Sequence, residues 1–233
     1  VTISSQGGAS DFGDLRSTYF SMNSAGVTSN IRGFACGGLN VPGQLYGNSI
    51  DYITIASLGD MTNWGELSHT GRQLNAGCES ETRGIIGGGY AGPSPDNSAV
   101  NTIQYITFTS QGNSELFGSL TVARRNVIAV SDKTRGVFMG GTVGDNVIDY
   151  ITIASLGNAI DFGDLSVDGR GAPGAAASST RGIWAGGGSS DNEYTAIDYV
   201  TISTTGDAIT FGDLTGYGGK TCLLYTSPSP RDS

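Results

Sequence analysis

The stretch IDYITIASLGNAIDFGDL, residues Ile148 to Leu165, recurs along the chain with small changes. Further copies begin at Ile50 (IDYITIASLGDMTNWGEL), Ile103 (IQYITFTSQGNSELFGSL) and Ile197 (IDYVTISTTGDAITFGDL). The chain also opens with VTISSQGGASDFGDL, which matches Val200 to Leu214 without a gap. Self-similarity at a fixed spacing is typical of repeat architectures. The chain is therefore expected to consist of one structural unit used several times.

Two independent markers give the same repeat length of about 50 residues. The first is the aromatic residue of the FGDL motif, and the second is the last glycine of a glycine doublet. The aromatic marker falls at Phe12, Trp64, Phe117, Phe162 and Phe211, and the doublet marker at Gly38, Gly89, Gly141 and Gly187. A single unit contains four short apolar runs separated by turn residues, at 126–131, 135–141, 147–154 and 160–165. Each unit is therefore predicted to form four strands.

This pattern predicts an all-β protein, a β-propeller fragment of about four and a half four-stranded blades. The predicted units are 1–15 (third and fourth strands of a partial blade), 16–67, 68–120, 121–165, 166–214 and 215–221 (the start of the next blade). The third strand is apolar on both faces, as expected where each blade packs between two neighbours. Two and a half or so blades are expected to be missing from a closed ring, so an end blade is expected to expose strand edges and an apolar face.

The order of the motifs resembles the kelch repeat. Arg125 stands before the first strand of a unit, the doublet Gly140-Gly141 ends the second strand, and Phe162 marks the fourth. Tyr150 and Phe162 lie further apart than the aromatic pair of the kelch motif. The resemblance spans residues 1 to 221 and implies a kelch-like propeller.

The amino-acid sequence of the repeat, RGxxxGG followed by IDYITI and FGDL, also resembles repeats in predicted proteins of marine bacteriophages, some of which are tail or virion components. This resemblance implies a non-enzymatic binding or structural protein, associated with a virus particle or extracellular, whose rim loops contact a glycan or a protein. The alternative is a fragment of a catalytic propeller enzyme whose active residues lie outside this sequence. The oligomeric state stays open.

The C-terminal residues do not follow the repeat. The segment from Cys222 to Asp232, CLLYTSPSPRD, resembles the translated read-through of a transposase-end sequencing adapter. Residues 222–233 are therefore expected to be a non-native tail, and the sequence to derive from an assembled environmental read.

Composition and charge argue against two classes of partner. The net charge of −9 is unsuited to a nucleic-acid phosphate surface, which needs clustered lysine and arginine. The adjacent pair Arg124-Arg125 is interpreted as solvated surface. No apolar run approaches the roughly 20 residues of a membrane-spanning helix. Neither nucleic acid nor a membrane is expected as a partner.

The residue types of most catalytic sites are scarce. His69 is the single histidine, and no GxSxG motif accompanies it, so a serine hydrolase triad is not expected. Cys36 and Cys78 are 42 residues apart and lack a CxxC partner, and Cys36 is expected to lie on a buried strand as a free, apolar side chain. The chain is accordingly predicted to have no catalytic residue, no cofactor and no metal ligand.

Acidic residues recur once per repeat at two positions. One set precedes the conserved tyrosine (Asp51, Asp149 and Asp198, with Gln104 in the remaining copy), and the other lies in FGDL (Asp14, Glu66, Asp164 and Asp213, with Ser119). A position that accepts glutamine or serine is a poor obligate metal ligand. These acids are predicted to make turn or inter-strand hydrogen bonds.

The loops between the second and third strands vary most, and variable loops on a constant scaffold often carry specificity. Neutral drift on a surface is the equally weighted alternative. Candidate ligand-binding residues in these loops are three tyrosines and three aspartates: Tyr46, Tyr90, Tyr194, Asp96, Asp145 and Asp191. The tyrosine rings suit stacking on sugars, or else pack on a neighbouring blade. The aspartates could ligate Ca²⁺, but their spacing favours turns.

Overall fold

A computed structural model describes residues 8–16, 24–40, 45–68, 72–91, 98–142, 146–167, 171, 173–188 and 194–216. These residues form β-strands and connecting loops, which confirms the all-β prediction. Within them, no helix has the length and apolar character needed to cross a membrane.

Sixteen of the strands form four antiparallel sheets, called sheets I to IV, each with its strands in sequence order. Sheet I contains β1 (Ala25–Thr28), β2 (Arg32–Cys36), β5 (Ser49–Thr54) and β6 (Thr62–Glu66). Sheet II contains β8 (Ala76–Glu79), β9 (Arg83–Gly87), β12 (Thr102–Thr107) and β13 (Glu115–Ser119). Sheet III contains β14 (Ile128–Ser131), β15 (Arg135–Met139), β16 (Val147–Thr152) and β17 (Ile160–Asp164). Sheet IV contains β18 (Gly174–Ala177), β19 (Arg181–Ala185), β20 (Ala196–Thr201) and β21 (Ile209–Asp213).

The remaining described strands are two-residue segments in the loops: β3 (Leu39–Asn40), β4 (Leu45–Tyr46), β7 (Arg72–Gln73), β10 (Tyr90–Ala91) and β11 (Ser98–Ala99). β3 pairs with β4. β10 pairs with both β11 and β7, so the connection that enters sheet II hydrogen-bonds to that sheet's own loop.

Successive sheets pack face to face, and their first strands contact one another in order, β1 with β8, β8 with β14 and β14 with β18. The first strands are therefore innermost, as in a propeller. Apolar side chains fill the space between sheets. Phe34 and Ile86 share the cluster between sheets I and II, and Trp184 and Ile148 share the cluster between sheets III and IV. Each sheet thus lacks a stable core of its own and depends on its neighbours.

In sheets I to III, the FGDL motif or its variant contacts the turn between the third and fourth strands of the next sheet. At the junction of sheets II and III, Gly157 N donates to Phe117 O (3.0 Å) and Ala159 N donates to Ser119 O (2.8 Å). Ser119 N donates to Asn158 Oδ1 at 3.1 Å. A Cβ placed on the motif glycine, Gly118, would collide with the backbone of Gly157. Close backbone approach therefore explains why this glycine recurs.

A second contact between sheets comes from the arginine that begins each second strand. The Arg83 guanidinium lies 4.8 Å from the centroid of the Tyr105 ring in its own sheet. Its Nη1 donates to the carbonyl oxygens of Ile153 (3.0 Å) and Ala154 (3.1 Å) in the next sheet. Equivalent hydrogen bonds to the next sheet are made by Arg32 and Arg135. The arginine of the recurring RG sequence therefore links each of these sheets to the next one.

Candidate functional site

The glycine doublets and the connections between sheets meet on one side of the molecule. This side is called the loop face, and its described residues are 37–39, 72–75, 88–91, 124–127, 140–142, 171 and 186–188. Gly38 N donates to Arg72 O (2.8 Å), and Gly89 N donates to Arg124 O (2.9 Å). The loop face is the side on which the variable loops begin and end.

The doublets allow the connections to cross the strand ends closely. Gly88 and Gly89 have φ values of 63° and 111°, in the region that favours glycine. A Cβ on Gly88 would lie 2.9 Å from Arg124 O, and one on Gly89 would lie 2.8 Å from Gln73 O. The doublets therefore end the second strands, as predicted, and they also permit close contact between backbones.

Within the loop face, the Arg124 side chain is fully buried, so its interpretation as solvated surface is wrong. Its Nη2 lies 2.5 Å from Asp149 Oδ2, and both side chains are 0% exposed. Nη1 donates to Gly140 O at 3.0 Å and also to Val147 O. Burial lowers the pKa of Arg124, and the Asp149 carboxylate opposes that shift. The ion pair therefore links the connection that enters sheet III to the beginning of its third strand, β16.

The recurring acid is held at a β-bulge. In sheets I to IV the pairing of the third and fourth strands shifts register immediately before Asp51, Gln104, Asp149 and Asp198 respectively. Ser49 Oγ donates to Asp51 Oδ2 (2.7 Å), and Ser166 Oγ donates to Asp198 Oδ2 (2.7 Å). For the acids that precede the tyrosine, the bond from Asn63 Nδ2 to Asp51 Oδ1 (3.3 Å) is of the predicted inter-strand kind.

In sheet II, Gln104 stands at the position of the recurring acid. Arg72 is 1% exposed and donates from Nη1 to Gly88 O (3.2 Å) and Thr102 O (3.0 Å). The amide oxygen of Gln104 accepts a hydrogen bond from Ser114 Oγ. Desolvation by burial lowers the pKa of Arg72 to about 10. Backbone carbonyls are therefore sufficient to hold a buried arginine at this position.

Two non-glycine residues on the loop face have positive φ, Leu74 (58°) and Asn126 (56°). Each lies two residues after a buried arginine. Asn126 N donates to Leu74 O (2.9 Å), and Asn126 Nδ2 donates to Thr142 Oγ1 (2.9 Å). Left-handed backbone at non-glycine residues is costly, and it is concentrated at functional sites. The connections that contain Leu74 and Asn126 are therefore included in the candidate site.

Tyr90 is the predicted ligand-binding residue with the clearest surroundings. It lies on β10, opposite Ala99 and Gln73, and its ring is half-buried. The Arg125 guanidinium carbon lies 4.5 Å from the ring centroid. The sequence did not reveal this partner, because Arg125 is 35 positions from Tyr90 and was interpreted as solvated surface and as the basic residue before a first strand.

Two of the other candidates, both tyrosines, lie among the described residues. Tyr194 is half-buried, and its backbone N–H donates to Gly187 O at 3.0 Å. Tyr46 lies opposite Leu39 in the β3–β4 pair. Asp96, Asp145 and Asp191, together with His69, lie outside the described residues. The three tyrosines that the structure describes therefore each have different neighbours.

Two cysteines, Cys36 and Cys78, lie among the described residues, and both are shielded from solvent. Cys36 and Cys78 are free and buried. Burial raises the pKa of the Cys36 thiol to about 12, with a smaller contribution from Asp51, and also raises the pKa of Cys78. Among the described residues, no group of three or more histidine, cysteine, aspartate or glutamate side chains could hold a metal ion.

Comparison with known proteins supports the fold alone. No protein-family model matches the chain. No curated protein matches it either. Among solved structures, the one described as "Structure of YjhT" superposes with a TM-score of 0.71 at 7% sequence identity, over 87% of this chain and 68% of that chain. This likeness and the four sheets establish an all-β, propeller-like architecture.

Proposed function

We propose that this chain is a non-enzymatic binding module of a virus particle, and that its loop face contacts a glycan or a protein. The observation that carries the proposal is how the recurring polar residues are used. Arg124, Asp149 and Asp198 are buried in bonds between strands and connections, so the repeated chemistry belongs to the scaffold. Residues that differ from one repeat to the next are left to form a binding surface.

The stacked pair of Tyr90 and Arg125 is the proposed centre of that surface. A tyrosine ring offers an apolar face to a sugar while its hydroxyl stays hydrated. A guanidinium group offers planar donors that suit hydroxyl and carboxylate oxygens. Both residues are replaced in the other repeats, where Thr142 stands at the position of Tyr90 and Gly171 at that of Arg125. Virus association is supported by the resemblance of the repeat to marine bacteriophage proteins.

A glycan array probed with the purified chain tests the binding proposal. Tyr90→Ala and Arg125→Ala are expected to weaken binding at least about tenfold, a loss of roughly 1.4 kcal/mol each. Lys133→Ala is the matched control, because Lys133 is 82% exposed and lies in a turn on the opposite side. Glycan binding that both loop-face variants leave unchanged would contradict the proposed surface.

Virus association needs a separate measurement. Mass spectrometry of purified virus particles from the source environment is expected to detect peptides of the repeat, such as those containing IDYITIASLG. Their absence from particles, together with their presence in cellular fractions, would contradict the virion assignment without affecting the glycan result.

A further inference from the structure

The buried arginine of sheet II has the same surroundings as that of sheet III except for the carboxylate. Arg72 and Arg124 are both buried, and each donates from Nη1 to two backbone carbonyl oxygens, one in the glycine doublet and one at the start of the third strand. Arg124 also pairs with Asp149, whereas the equivalent residue in sheet II is Gln104. Among the described residues, no carboxylate forms an ion pair with Arg72.

The positive charge of Arg72 is therefore not balanced in the way that the other sheets suggest. In sheet I as well, the recurring acid meets an arginine, since Arg16 Nε lies 3.3 Å from Asp51 Oδ1. A buried charge is costly unless an opposite charge accompanies it. Desolvation lowers the pKa of Arg72, whereas the carboxylate beside Arg124 opposes the same shift. The two carbonyl groups orient the Arg72 guanidinium, but they supply no net charge to balance it.

The hydrogen bonds of Gln104 direct its amide nitrogen towards the buried arginine. In sheet III, Thr121 Oγ1 donates to Asp149 Oδ1, and Oδ2 pairs with the arginine. In sheet II, the equivalent Ser68 donates its backbone N–H to Gln104 Oε1 (3.2 Å), so Nε2 takes the place of Oδ2. Nε2 is buried and has no hydrogen-bond partner within the described part of the chain. An amide NH₂ and a guanidinium are both donors, so an acceptor is needed between Gln104 and Arg72.

We propose that a chloride ion binds between the side chains of Arg72 and Gln104, where it takes the role that the Asp149 carboxylate has in sheet III. One chloride ion supplies the single negative charge and accepts hydrogen bonds from both donors. A dianion such as sulfate would bring a second, unbalanced charge into the interior. The net charge of the chain is −9, which disfavours non-specific binding of anions elsewhere on its surface.

The chloride ion stabilises the connection that enters sheet II. Arg72 lies on β7 opposite Ala91 of β10, and the neighbouring pair on these strands is Gln73 with Tyr90. The backbone carbonyl of Arg72 also accepts a hydrogen bond from Gly38 N. Chloride binding is therefore expected to order the loop face near Tyr90, whatever ligand that face contacts.

Thermal unfolding of the full chain in sodium chloride and in sodium gluconate tests the proposal. Equal ionic strength keeps the screening of all other charges constant. Chloride is expected to raise the melting temperature. Above the dissociation constant of the site, each tenfold rise in chloride concentration favours the folded state about tenfold, which corresponds to roughly 1.4 kcal/mol.

A pair of charge variants locates the effect. Gln104→Glu places a carboxylate beside Arg72 and is expected to remove the chloride dependence of the melting temperature. Gln111→Glu is the matched control, because Gln111 is exposed and the same change of charge there leaves the proposed site intact. Crystals of the wild-type chain grown in sodium bromide do not depend on how a variant folds. They are expected to show an anomalous-difference peak between Arg72 and Gln104, since bromide replaces chloride.

Three results would overturn the proposal. The first is a wild-type chain with equal melting temperatures in the two salts, which would mean that the amide oxygen of Gln104 turns to Arg72 and accepts its hydrogen bond. The second is a Gln104→Glu chain that responds to chloride like wild type. The third is a set of bromide-grown crystals without the anomalous peak.

Discussion

Replacing Asp149 by asparagine removes the carboxylate that faces the buried Arg124. The two side chains are 0% exposed and 2.5 Å apart, so water cannot solvate the guanidinium group once the carboxylate is removed. Breaking a buried ion pair by removing one partner costs about 3–5 kcal/mol. Arg124 keeps the carbonyl oxygens of Gly140 and Val147, and Arg72 shows that carbonyls can hold a buried guanidinium. We therefore expect the lower end, a loss of about 3 kcal/mol in the free energy of unfolding.

Urea unfolding followed by tryptophan fluorescence measures this loss. Trp184 is fully buried in the cluster between sheets III and IV and reports on the region of the ion pair. The double variant Arg124→Met/Asp149→Leu leaves no unpaired charge and is expected to be more stable than Asp149→Asn alone. Lys133→Ala, which removes an exposed ion pair, is expected to change stability by less than about 1 kcal/mol. An Asp149→Asn loss below about 1 kcal/mol, or a double variant less stable than the single, would refute the reasoning.

Three further predictions concern the junctions and the buried thiols. Gly118→Ala is expected to destabilise the chain by about 1–3 kcal/mol through overpacking, whereas Gly212→Ala leaves the melting temperature unchanged. Arg83→Ala is expected to lower the free energy of unfolding by about 1–2 kcal/mol by removing a cation–π contact and two hydrogen bonds between sheets; Arg83→Lys should recover only part of it in urea titrations. With the third cysteine replaced by serine, Cys36 and Cys78 are expected to resist a thiol reagent at pH 8 until urea unfolds the chain. Because the pKa of Cys36 rises to about 12 on folding, its contribution to stability is present below about pH 9 and lost between pH 9 and 12.

The repeat predicted the strands well because each strand is bounded by local signals. The third and fourth strands of sheet III were predicted at 147–154 and 160–165 and are observed at Val147–Thr152 and Ile160–Asp164. The predicted second strand, 135–141, ends earlier, at Met139, because Gly140 and Gly141 adopt positive φ and leave the ladder. Periodicity and turn chemistry therefore locate a strand, while backbone conformation fixes its end.

The buried arginines could not be predicted from local pattern. Arg124 and Arg125 are adjacent in sequence, yet one is fully buried with Asp149 and the other lies over the Tyr90 ring. Both partners are distant in sequence and are brought close by the connection between sheets. The candidate tyrosines do lie in the loops between second and third strands. The stacking of Arg125 on Tyr90, however, becomes visible only in the three-dimensional structure.

The exception in sheet II shows how the scaffold limits where function can vary. Gln104 replaces the recurring acid, and Ser114, which stands where Ala159 stands in sheet III, supplies its hydrogen bond. A change at a buried scaffold position is thus matched by a second change at its contact, because an unpaired polar group in the interior costs about 1–3 kcal/mol. On the loop face, half-buried Tyr90 and its stacking partner Arg125 both differ from their counterparts in the other repeats. A new ligand can therefore be accommodated by changes at exposed or half-buried residues of the loop face, while a change at a buried scaffold position is expected to need a matching second change.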